Sequence, residues 1–234
     1  MGKYVCGLSF FNRVRYHSNL QDKQNHPSTC WVRRRIQISK DIFIYRIDST
    51  DTIVSISDNW CTFADANAWG SSLRPEDVVG RKLWDFIQDL ETQHLYQELL
   101  RRTRGGMNSR PIPFRCDSPK ERRYLELLIK ALPNEQIEIT SKICRTEPRK
   151  TISLLDATTP KSSDLVTVCS MCKKMQVSPE KWAEIEVALV HLKLFEADIM
   201  PQLTHGLCPT CYQVAMGELD DFETPNKAID SDKE

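Results

Sequence analysis

The chain has 234 residues, 40% of them hydrophobic and 27% charged, and its 32 Lys and Arg balance 32 Asp and Glu. That length fits one or two domains with a real core, and only 8 Gly and 12 Pro exclude collagen-like and low-complexity classes. No stretch reaches the ~18 consecutive apolar residues of a membrane helix, so no membrane contact is expected, and the neutral total weighs against a dedicated nucleic-acid binder.

The balance is a sum over unlike parts. Residues 1–40 carry +7, residues 41–216 carry −2 and residues 217–234 carry −5. Charge runs at chain ends are usually solvated. Residues 1–40 therefore read as a basic, poorly ordered lead-in, and residues 217–234 as an acidic disordered tail. The apolar run near Val5–Phe11 is short, is broken by Ser9 and has no cleavage site after it, so it is not a secretory signal. Nine cysteines without such a signal point to a cytoplasmic protein whose thiols bind metal or stay reduced.

Regular structure is expected from Asp41. Phe43, Tyr45 and Ile47 alternate with less apolar neighbours as in a strand, and Ile53, Val54 and Ile56 form a second strand beyond a short turn. Asp58 can cap a short helix, Pro75 can open another, and Leu83–Ile87 reads as a single apolar turn. The longest helix of this half runs from about Glu91 to Arg104, with Leu95, Leu99 and Arg102 in register, and ends at Gly105-Gly106. Three strands follow, around Ile112–Phe114, Tyr124–Ile129 and Ile137–Ile143. Strands, then helices, then strands indicate an α+β fold with a five-stranded antiparallel sheet and helices on one face. Residues 149–164 have linker composition, and a second unit spans 165–216.

The segments IVSISDNWCTFA (53–64), EDVVGRKLWDFI (76–87), ETQHLYQELLRR (91–102) and PFRCDSP (113–119) resemble a PAS domain over roughly residues 41–148. VCSMCKKM (168–175) and THGLCPTC (204–211) resemble a short Cys-rich module fused to sensor domains in bacterial signalling proteins. Together the halves resemble a family of bacterial PAS proteins. The resemblance implies a sensor role and supplies neither ligand nor partner.

The strongest chemical signal is Cys169-x2-Cys172 with Cys208-x2-Cys211. Two thiolate pairs on tight turns complete a tetrahedron around one Zn2+ and leave no open position for catalysis. The 35 residues between the pairs exceed the ~15–20 of a simple ribbon. A helix capped by Ser178, opened by Pro179 and carrying Trp182, Ile185, Leu189 and Leu192 is the expected insert. His205 is an alternative ligand or a hydrogen-bonding neighbour of the site. A redox dithiol is the competing reading, without the βαβ context that such chemistry prefers.

Other features have bland readings beside sharper ones. Cys116 reads as a small buried hydrophobe rather than a reactive thiol. His94 could ligate haem iron in the manner of some PAS domains, but a lone imidazole on a helix is more often a surface residue. Arg101, Arg102, Arg104, Arg110, Arg115, Arg122 and Arg123 could meet an acidic partner or a phosphate; the first three also complement a helix dipole. No glycine-rich nucleotide loop, H-E-x-x-H or G-x-S-x-G occurs, so no enzyme activity is expected. The reading is a cytoplasmic, non-enzymatic sensor that takes an unidentified small ligand or a protein partner, with a structural zinc module for docking. Its partner is another signalling protein or a second copy. A zinc-dependent nucleic-acid-binding regulator and a thiol redox switch are the alternatives.

Overall fold

In the computed structural model, residues 39–66, 74–87, 89–107, 110–156 and 158–221 are described. The expected lead-in and tail lie, apart from their innermost residues, outside that set. Strands β1 (Ile42–Ile47) and β2 (Ile53–Ile56) form the expected hairpin, closed by a turn with Asp51 in the left-handed region at φ 61°. Short helices α1 (Asn59–Ala66) and α2 (Pro75–Val78) follow, the second with Pro at its start. Helix α3 (Leu90–Arg104) opens on Asp89, whose carboxylate accepts from the Glu91 and Thr92 amides, satisfying two of the helix's orphan donors. Strands β3 (Ile112–Arg115), β4 (Glu121–Ala131) and β5 (Ile137–Pro148) complete an antiparallel sheet in the order β2-β1-β5-β4-β3.

The period-two pattern explains the sheet's buried face. Tyr45 and Ile47 of β1, Leu125, Leu127 and Ile129 of β4, and Ile137 and Ile139 of β5 share one core with Leu95, Tyr96, Leu99 and Leu100 of α3. Arg104, at the end of α3, ties that helix to the hairpin by donating to Asp51 Oδ1 at 2.6 Å and to the Asp48 carbonyl at 2.9 Å. The C-terminal end of α3 is therefore fixed to the hairpin turn.

The second unit departs from the expected pair of cysteine turns joined by one helix. Strands β6 (Lys161–Cys169), β7 (Met175–Ser178), β8 (Lys181–Ala183) and β9 (Met200–Gly206) form a sheet in the order β8-β7-β6-β9, with β6 and β9 parallel. The helix expected from Ser178 is not there. Pro179 instead sits in the β7–β8 turn, Trp182 pairs with Gln176 across the hairpin, and helix α4 covers only Ile185–His191. The residues read as linker are also built in. Ile152 and Leu154 are buried with Val168, Met175, Ile185 and Leu189 in a second small core. Helix α5 (Pro209–Asp221) ends the described chain. Among the described residues no helix is long and apolar enough to cross a membrane.

Ile139 pairs with Tyr45 on one side and Ile129 on the other and is fully buried. Ile139→Ala removes that central packing and is expected to cost about 2–5 kcal/mol, read as a lowered urea midpoint with an unchanged slope.

Candidate metal centre

Parallel pairing brings the two cysteine turns together. Cys169 ends β6 opposite Gly206, which ends β9, so Cys208 follows two residues beyond the same edge. Parallel strands need a long crossover, and β7, β8 and α4 supply it; that is why 35 residues separate the pairs. Lys173 takes a left-handed conformation at φ 61°, turning the chain back so that its amide donates to the Cys169 carbonyl. Cys211 lies in the first turn of α5.

The sulfurs of Cys169, Cys172, Cys208 and Cys211 lie within 4.8 Å of one another, and those of Cys172 and Cys208 are 3.7 Å apart. A tetrahedral zinc with ~2.3 Å bonds to sulfur demands sulfur–sulfur separations of about 3.8 Å. The donor set therefore fits Zn2+ in size and in softness. Backbone amides add to the match. Cys208 N–H points at Cys169 Sγ and Cys211 N–H at Cys208 Sγ, both at 3.4 Å. Thiols of Cys172 and Cys211 hydrogen-bond to Cys169 and hold it far below the ordinary thiol range, while Cys172 is pushed up to about 12, first by its bond to Cys169. Metal binding at such a set requires that the thiol protons leave.

His205 lies outside the sulfur cluster. It stands on β9 opposite Val168, and burial pulls its imidazole down to about 3, so it is neutral. His94 is exposed on α3 and does not line the cavity described below. Cys116 is buried in the main core but is disulfide-bonded, not the free buried thiol expected from the sequence, and Cys61 and Cys144 stand apart from the cluster.

Both cysteine turns are bonded to the first unit. Met171 carbonyl accepts the Arg115 amide at 2.7 Å, which covers part of the free edge of β3. The Thr92 hydroxyl reaches Ser170 Oγ at 3.3 Å, and Glu91 Oε2 accepts the Leu207 amide at 3.0 Å. Cys169, Met171, Leu207 and Cys208 belong to the same buried core as the five-stranded sheet.

An ion-pair lattice flanks these contacts. The Asp117 side chain is only 1% exposed, receives Arg115 and lies 3.1 Å from Arg149. Arg115 also reaches Glu184 at 2.7 Å, and Arg122 reaches Glu186 at 2.6 Å, both carboxylates coming from the second unit. Burial opposes the Arg115 charge, but its bonds to Asp117 and Glu184 outweigh that and hold it above its ordinary value. The sequence reading assigned no role to Met171, Glu91, Asp117 or Glu184. The one hint was a hydrophobic methionine inside a metal-binding turn, where an exposed loop would carry a polar residue.

No protein-family model matches the chain, and no curated protein matches it. Among solved structures, a domain of an HTR-like protein from Haloarcula marismortui is similar over 46% of this chain and all of that domain, with 13% identity and a TM-score of 0.30. A likeness that distant decides neither fold nor function.

Chelation of the metal-loaded chain is expected to speed amide exchange at Leu207 and Arg115, which bond across the seam, ahead of exchange at Ile139 in the sheet centre; hydrogen-exchange mass spectrometry reads the order. Asp117→Ala removes a carboxylate shared by two largely buried guanidinium groups, leaving Arg115 to Glu184, and is expected to cost about 1.5–3 kcal/mol in chemical denaturation, with Asp85→Ala at the exposed Arg81–Asp85 pair near zero.

Proposed function

We propose that this chain is a non-enzymatic signalling protein of bacterial PAS type, in which a sensor unit and a zinc-closed cysteine module work as one body. The observation that carries this reading is the seam. Both cysteine turns bond to α3 and β3, and they share the core of the five-stranded sheet. A change in the sheet unit therefore reaches the module through Arg115–Met171 and Glu91–Leu207 without a flexible joint. The metal's role is structural, because four thiolates fill a tetrahedron. The signal passes to another protein or to a second copy as a shift between conformations of the joined body.

Charge pairing also favours this reading over a nucleic-acid-binding regulator. Six of the seven arginines singled out in the sequence are engaged by carboxylates: Arg101 and Arg102 by Glu98, Arg104 by Asp51, Arg115 by Asp117, Arg122 by Glu186 and Arg123 by Glu121. Paired guanidiniums release few counterions on a phosphate backbone.

Electrophoretic mobility of duplex and single-stranded nucleic acid, titrated with zinc-loaded chain at low and physiological salt, tests the choice. No complex at physiological salt is the expected result. Tight binding that falls steeply with salt would establish the rival instead.

A further inference from the structure

Between α3, the outer edge of β3 and the start of α5 lies a cavity of ≈ 320 Å³ with an open mouth, near the lower end of the ~300–1,000 Å³ range of small-molecule sites. Its walls are apolar: Leu95 and Leu99 from α3, Phe114 from β3, Met171 from the first cysteine turn, and Val214 and Ala215 from α5. Neither unit makes the cavity alone. Cys172 and Cys211 complete the wall, so whatever holds the sulfurs together also shapes the site. Methionine supplies an adaptable surface there.

Few polar groups face the space. Arg115 lines it but is committed to Asp117 and Glu184. Arg110 also lines it, is exposed, and makes no ion pair with a described residue. A chamber of apolar side chains with one uncommitted guanidinium matches a ligand with an apolar body and one anionic end. The polarity also fixes the orientation. A zinc tetrathiolate carries a net charge of −2, so the uncharged body, not the head, belongs beside Cys172 and Cys211.

We propose that the seam cavity binds a small apolar molecule bearing a single acidic head group, with its body against Leu95, Leu99, Met171 and Val214 and its head at Arg110. The proposal deepens the sensor reading and rests on it for the use made of the ligand. Occupancy would press on both units at once, because the walls come from both.

Calorimetric titration of the full chain with decanoate, decanol and decylammonium, with zinc measured in the same sample, tests it. Decanoate is expected to bind one per chain, about tenfold tighter than decanol, with decylammonium weakest. Arg110→Glu alters an exposed side chain and is expected to erase the preference for decanoate over decanol. Val214→Trp, at a residue 55% exposed, is expected to fill the mouth and abolish binding of both, while circular dichroism and zinc content stay unchanged. A zinc-loaded chain that binds none of the three probes overturns the site and leaves the metal reading standing. Equal affinity for decanoate and decanol overturns the acidic head group. A zinc-free chain that still binds decanoate retains the site and contradicts the metal.

Discussion

The parallel pairing of β6 with β9 is the constraint on which the rest of the molecule depends. With Cys169 opposite Gly206, the two cysteine turns must emerge at one edge, side by side. Four sulfurs then fall within 4.8 Å of one another. Four thiolates at that spacing repel one another strongly unless a cation or protons intervene, so the same register that builds the cluster makes it a place that a metal ion could fill. Four sulfurs this close could hold a metal ion, and the turns that carry them also carry Met171 and Leu207, the residues that bond to the first unit.

That chain of dependence gives the small second unit its stability. Its own core is a short list of aliphatic side chains around Leu154 and Ile185, little for a mixed sheet of short strands. The remainder comes from the seam: the shared core with the five-stranded sheet, three hydrogen bonds from the cysteine turns, and the lattice around Asp117. Burying that carboxylate between Arg115 and Arg149 adds specificity of docking more than net stability, since desolvation offsets much of the attraction. A module held this way moves with its neighbour, which suits the relay of a signal.

The sequence was most legible where structure is local. Alternation at Phe43, Tyr45 and Ile47, the spacing of Leu95 and Leu99, and the break at Gly105 marked the first unit element by element. The paired C-x2-C turns named the sulfur donors before any geometry was known. It was least legible where a partner is distant in the chain. Ser178-Pro179 looks like a helix start as much as a turn, and only the pairing of Trp182 with Gln176 resolves it. The arginines between residues 101 and 123 read as a basic cluster because Glu184 and Glu186, which neutralise Arg115 and Arg122, lie more than 60 residues away. A linker-like composition at 149–164 hid Ile152 and Leu154, whose burial depends on a core that assembles only when β6 and α4 meet. The cavity has no sequence signature at all, since its walls come from five separate segments.

X-ray absorption at the zinc edge of the purified full chain tests the central claim most directly. The account predicts one zinc per chain with four sulfur neighbours at about 2.3 Å. A nitrogen donor would bring His205 into the site in place of a thiolate, and less than about half a zinc per folded chain would mean that the cluster is not closed by metal; either result contradicts the tetrathiolate lock described above.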